Sequence, residues 1–227
     1  MAVILGRRPV LRVDPWIETQ RTTGGMTTRA GFPAAGTGGD DERSRAESRA
    51  LLARGLGRAP AGVAWLRQVH GAEVVRASGG GHHGEADALV ADDPSLTLVV
   101  SVADCAPVAV WDPKGPAFGI AHAGWRGAVA GVVEATVAAL TELGAEPARL
   151  RAWVGPRIGA DRFEVGPEVA ERFDPNDVLP PDGDRRERPH VDLGGAIERR
   201  LARCGIAPDR VRRSADCTYD RDDLYWS

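Results

Sequence analysis

Phe118-Gly119-Ile120-Ala121-His122-Ala123-Gly124-Trp125-Arg126-Gly127 packs an apolar strand, a glycine turn and the opening of a helix into ten residues. The helix continues through Val129, Val132, Val133, Thr136, Val137 and Leu140, which recur at helical spacing, and Gly144 suits its C-terminal cap. Upstream lie Asp87-Ala88-Leu89-Val90-Ala91, Leu96-Thr97-Leu98-Val99-Val100-Ser101-Val102 and Val108-Ala109-Val110-Trp111. These runs are short, rich in β-branched residues and bounded by Asp, Pro and Gly, as strands of a buried sheet should be. Downstream, Arg151-Ala152-Trp153-Val154-Gly155 reads as a further strand and Pro167 to Arg172 as a short helix. Phe173 to Pro189 is a polar, Pro-rich surface loop, Val191 to Cys204 the last helix, and Arg210 to Ser214 a final strand. The alternation sets the class as α/β.

Toward the N-terminus the pattern weakens. Ala64 to Ala77 reads as strand, a bend at Gly71, and strand again. Gly79 to Gly84, which carries His82 and His83, is a flexible loop. Asp40-Asp41-Glu42 suits a helix start, with Leu51, Leu52 and Leu56 on its apolar face and Gly57 at its end. Residues 1–45 read as loops around one strand, and 1–28 are the least defined. No repeat or linker divides the chain, so residues 1–227 are expected to form a single domain.

Composition narrows the function. The chain has 29 Lys+Arg against 32 Asp+Glu, a net charge of −3, which does not suit a nucleic-acid partner. No apolar run approaches the roughly 18–20 residues that span a bilayer. The apolar run at the N-terminus precedes its arginines, the wrong order for a secretory signal, so a cytoplasmic location is expected. Lys114, in the turn Trp111-Asp112-Pro113-Lys114-Gly115-Pro116, is the only lysine. A phosphate loop ending in Lys-Ser or Lys-Thr is therefore absent, and Schiff-base catalysis has one ill-placed candidate. Cys105, Cys204 and Cys217 are too few and odd in number for a disulfide framework. Cys204 reads as a buried helical thiol.

The chemistry concentrates at strand ends, where sheets place function. His70 closes Arg67-Gln68-Val69-His70-Gly71, Cys105 follows a strand in Ala103-Asp104-Cys105-Ala106-Pro107, and His122 follows another. Two imidazoles and a thiolate suit zinc and leave a fourth tetrahedral position for water or substrate. The gaps of 34 and 16 residues match no zinc-ribbon spacing. Asp104 is a candidate for orienting a ligating histidine or for general acid–base work, against an ordinary turn aspartate. Arg126, on the glycine turn that opens the helix, suits bidentate phosphate binding, against a surface arginine. His190 reads as a cap or packing residue. Glu164 reads equally as a cleft acid and as an exposed strand-end acid.

Five motifs occur in order: Gln68-Val69-His70-Gly71, Asp87-Ala88-Leu89-Val90, Ala103-Asp104-Cys105-Ala106-Pro107-Val108, His122-Ala123-Gly124-Trp125-Arg126-Gly127, and Gly155-Pro156-Arg157-Ile158-Gly159 with Phe163-Glu164-Val165-Gly166. Together, from about Arg29 to Ser227, they resemble the purine nucleoside phosphorylase family once called laccase-domain or polyphenol oxidase proteins. The resemblance implies an α/β/β/α sandwich with mixed sheets and an active-site zinc on His70, Cys105 and His122. It also implies phosphorolysis of adenosine, inosine and S-methyl-5′-thioadenosine, with adenosine deamination, so the partners are purine nucleosides and inorganic phosphate. Arg49, in Glu47-Ser48-Arg49, matches the arginine of the family's Glu-Asn-Arg segment, with Ser48 in place of Asn. Asp161-Arg162 replaces the usual Cys-Cys. The sequence ends Leu224-Tyr225-Trp226-Ser227, where the family continues with an Arg-Arg-Asp segment and a strand.

Three other readings stand beside this one. Five histidines cannot furnish both a blue-copper site and a trinuclear cluster, but copper at the single site remains open. Cys105 with a histidine is the pair a metal-free hydrolase would use. A metal-binding interaction protein without turnover is the third. The sequence sets no oligomeric state, and a monomer is compatible with it.

Overall fold

The structure, a computed structural model, describes residues 59–183 and 187–227, together with residues 49, 50 and 53 and the strands β1 (Leu11–Val13) and β2 (Gly25–Thr27). The helix expected from Asp40 to Gly57 falls largely outside the described residues. β1 and β2 pair antiparallel, where the sequence suggested one strand.

The strands that follow are β3 (Val63–Arg67), β4 (Val74–Arg76), β5 (Gly81–Glu85), β6 (Ala88–Ala91), β7 (Thr97–Val99), β8 (Ala106–Trp111) and β9 (Phe118–Ala123). After them come α1 (Trp125–Ala130), α2 (Val132–Glu142), β10 (Arg151–Val154), α3 (Pro167–Ala170), β11 (Val178–Leu179), β12 (His190–Val191), α4 (Leu193–Arg203) and β13 (Val211–Arg213). A mixed six-stranded sheet runs β13-β10-β8-β9-β6-β4, and a parallel three-stranded sheet runs β5-β3-β7. The architecture is α/β with mixed sheets, as the resemblance implied.

Period-two alternation decides the layers. On the six-stranded sheet Ala88, Val90, Ala106, Val108, Val110, Ala121, Ala123, Ala152 and Val154 share one core with α2 and α4. The alternate residues Leu89, Ala91, Ala109, Trp111, Phe118, Ile120 and Trp153 share a second core with Ala64, Leu66 and Leu98 of the small sheet. Trp65, between Ala64 and Leu66, faces away from that core, and the Arg49 guanidinium lies 3.8 Å from its ring centroid. Residues 49, 50 and 53 are helical, so a helical segment covers this outer side and gives the order α/β/β/α.

Three local expectations change. Gly79 to Gly84 is not a loop: Gly81–Glu85 forms β5 and pairs with β3, because sheet pairing overrides a composition of poor strand formers. The long helix is two helices, broken at Gly131, whose φ of 95° only glycine adopts freely. The loop from Phe173 to Pro189 buries Phe173 and Asp177 and contains β11, which pairs with β12. No helix among the described residues is long and apolar enough to cross a membrane.

Candidate metal centre

His122 lies on β9, the strand between β8 and β6. Its register partners are Pro107 on β8 and, one step beyond the end of β6, Asp87. Alternation therefore puts Asp87, Cys105 and His122 on the same face, at the edge of the second core. His70 arrives from the turn after β3. The ligand atoms of His70, Cys105 and His122 lie within 4.8 Å of one another, and His70 is exposed, Cys105 half-buried and His122 buried. The imidazoles of His70 and His122 meet edge to face, with centroids 4.8 Å apart.

The three sequence-selected ligands thus converge across 53 residues of chain. Tetrahedral zinc with bonds of about 2.0–2.3 Å places its ligand atoms about 3.5 Å apart. A closure of about an ångström would bring this trio to that spacing, and the donor set fits a soft divalent ion.

Backbone compactness makes the convergence possible. A Cβ on Gly124 would sit 2.6 Å from the Cys105 sulfur, and a Cβ on Gly127 would sit 2.9 Å from the Gly71 carbonyl oxygen. The glycines of His-Ala-Gly-Trp-Arg-Gly therefore admit the thiol and the His70 turn. Gln68 braces the two ligand loops: its amide donates to the Ser101 carbonyl at 2.8 Å and accepts from the Ser101 N–H at 2.8 Å.

Asp87 is fully buried. One carboxylate oxygen accepts from His122 Nδ1 at 2.8 Å and from the His70 N–H at 2.9 Å. The other accepts from the N–H of Gly71 at 2.6 Å and of Val69 at 3.2 Å. Burial pushes its pKa up, but the bonds from His122 and the three backbone amides outweigh it, and the carboxyl titrates below its ordinary range. Burial lowers the His122 pKa; Asp87 opposes and His70 reinforces the shift, leaving the ring neutral in the form that ligates a metal. Burial, with Asp104 and Asp87 nearby, pushes the Cys105 thiol up to about 11 against the opposing pull of Arg126. That is the reverse of an activated cysteine nucleophile.

The remaining candidates sit around this centre. Asp104 adopts a left-handed φ of 66°, and its Oδ1 accepts from the buried Thr218 hydroxyl at 2.7 Å. Thr218 is itself set by a bond from its N–H to the Arg157 carbonyl. Arg126 is exposed on α1, with its guanidinium 4.4 Å from the Trp125 ring centroid. Arg49 stacks on Trp65. His82 and His83 lie on β5, and His190 is buried on β12 with Nδ1 against the Arg188 carbonyl. Glu164 faces Arg188 at 3.7 Å. Asp87, Gln68 and Thr218 were not singled out from sequence as site residues. Asp87 looked like a strand-opening acid, and only the pairing of β6 with β9 brings it to His122.

Two sheets packed face to face, with a His-Cys-His cluster gathered at one end of the larger, define a mixed α/β protein with one candidate metal centre among the described residues. A model of the multi-copper polyphenol oxidoreductase laccase family matches residues 16–227, and the chain belongs to that family. A purine nucleoside phosphorylase of Deinococcus radiodurans is 41% identical over 205 residues, covering 87% of this chain and 80% of that protein. The purine nucleoside phosphorylase YfiH of Escherichia coli is 34% identical over 174 residues, covering 75% of this chain and 70% of that one. The crystal structure of the Bacillus licheniformis hypothetical protein YfiH superposes with a TM-score of 0.80 at 25% identity, covering 90% of this chain and 86% of that one. The relatives' names support an enzyme of the purine nucleoside phosphorylase type.

Proposed function

We propose that the chain is a zinc-dependent purine nucleoside phosphorylase of the cytoplasm, acting on adenosine, inosine and S-methyl-5′-thioadenosine and also deaminating adenosine. The observation that carries this reading is the approach of the His70, Cys105 and His122 ligand atoms to within 4.8 Å. A zinc ion held there supplies Lewis acidity at one open coordination position.

Phosphorolysis joins a phosphate oxygen to ribose C1′ as the C1′–N9 bond breaks, and the departing base takes up a proton. Deamination exchanges the 6-amino group for a water oxygen and releases ammonia. Both reactions need a proton moved beside the purine, and Asp104, next to Cys105 and held through Thr218, is the proposed carrier. Arg126, whose charge reaches Cys105, is the proposed phosphate ligand. Arg49 is the second proposed substrate contact.

The deciding assay incubates purified protein with adenosine and phosphate and separates the products. Adenine reports phosphorolysis and inosine reports deamination; hypoxanthine reports both in sequence. No product with any purine nucleoside, with or without phosphate, would leave a metal-binding protein without turnover. Arg126→Ala is expected to raise the phosphate KM about 10-fold or more, since charge-assisted bonds contribute about 1.5–3 kcal/mol. Asp104→Asn is expected to lower kcat about 100-fold or more, the usual share of a general acid–base. An unchanged phosphate KM or an unchanged kcat would remove the respective role.

A further inference from the structure

Asp87 spends every acceptor site of its carboxylate on His122 and on the turn that carries His70. His122 Nδ1 and three consecutive backbone amides, from Val69, His70 and Gly71, all point at it over 2.6–3.2 Å. Two consequences follow. The bond to His122 puts the ring proton on Nδ1 and bares Nε2 toward the ligand cluster. The three amide bonds hold the 69–71 turn, in which His70 adopts a left-handed φ of 61° that a side chain seldom tolerates unaided. The group is fully buried, and a Cβ on Gly71 would come 3.5 Å from its Oδ2, so the turn wraps it closely. With its lone pairs occupied, Asp87 has no capacity left to carry a proton for substrate.

We infer that Asp87 is a positioning residue for metal: one buried carboxylate sets the tautomer of His122 and, through backbone amides, the place of His70. This role rests on the proposed metal centre. From sequence, Asp104 beside Cys105 was the candidate to orient a histidine or to carry a proton; its Oδ1 accepts from Thr218.

The isosteric Asp87→Asn tests it, because its single amide oxygen can serve either His122 and His70 or Val69 and Gly71, while its NH2 group faces the other pair. Zinc competition against a chromophoric chelator is expected to show affinity about 10–100-fold below wild type, the usual loss when such a partner is removed. In parallel, nitrogen NMR of the histidines in metal-free wild-type protein is expected to show His122 as the single Nδ1–H tautomer, and Asp87→Asn to show a mixture. The wild-type spectrum keeps the test open if the variant does not fold, since a His122 protonated on Nε2 there overturns the role. Equal zinc affinity in Asp87→Asn and wild type overturns the role of Asp87 alone. A wild-type chain that takes up no zinc removes the metal centre and this role with it.

Discussion

Cys105 separates the metal reading from the hydrolase reading. A nucleophilic cysteine needs a depressed pKa, whereas burial and two neighbouring carboxylates push this thiol up to about 11. In metal-free protein, iodoacetamide should therefore label Cys105 far more slowly at pH 7.5 than it labels a free cysteine, with the rate climbing as pH approaches 11. Fast labelling near neutral pH would restore the thiolate–imidazolium pair. Cys105→Ser should lose the bound zinc, measured by elemental analysis against a wild-type ratio of about one per chain. The trio was legible in the sequence because each member sits beside a strand end, two of them followed by a glycine that fixes the turn. Asp87 was not, because its significance depends on a contact 35 residues away along the chain. Its motif, Asp87-Ala88-Leu89-Val90, belongs to the resemblance but by itself gives the acid no partner.

At the scale of elements, glycines and caps hold the centre's frame. The turn between β9 and α1 exists to bring backbone against sulfur, so Gly124→Ala should cost zinc affinity while leaving the far-ultraviolet circular dichroism unchanged. Wild-type affinity in that variant would mean that the sulfur has room to shift. Asp192 caps α4 by accepting from the Gly195 N–H at 3.0 Å and pairs with Arg213 at 2.9 Å. Burial works to raise its pKa, but the cap and Arg213 prevail and hold it below the ordinary carboxylate value. A depressed carboxylate stabilises the fold above its unfolded pKa of about 3.9 and loses that contribution as pH falls through the folded value. Asp192→Ala should thus cost about 1 kcal/mol at neutral pH, in denaturant titration, and the difference from wild type should shrink below about pH 4. A constant difference across that range would assign the effect to packing alone. The strands of the large sheet were readable because alternation and β-branching agree with their burial. β5 was not, since Gly81-His82-His83-Gly84 carries no strand signal and is drawn into a ladder by β3. A Cβ on Gly194 would strike the Arg157 guanidinium, and one on Gly195 the Asp192 carboxylate that caps the same helix.

At the scale of the molecule, the family's name promises more copper chemistry than this chain can seat. All five histidines are described, and only His70 and His122 join the candidate metal cluster among the described residues. His82, His83 and His190 belong to β5 and β12. A trinuclear centre is therefore not assembled, and copper at the single site would have to use the same three ligands. The two-core layout also explains why metal and stability should be linked, because the ligands come from three chain segments that meet where the sheets' shared core ends. Zinc at about 1,000 times its dissociation constant should add about 4 kcal/mol, or roughly 10 °C in Tm, and a chelator should reverse the gain. An unchanged Tm at that concentration would mean that the folded chain does not bind zinc in preference to the unfolded one.

The most direct measurement is anomalous diffraction at the zinc absorption edge from crystals of the zinc-loaded protein. The expected result is one strong peak bonded to Cys105 Sγ, His122 Nε2 and a ring nitrogen of His70, with Asp87 still on His122 Nδ1. A peak elsewhere, or no peak among these three side chains, would contradict the metal centre and the nucleoside chemistry built on it.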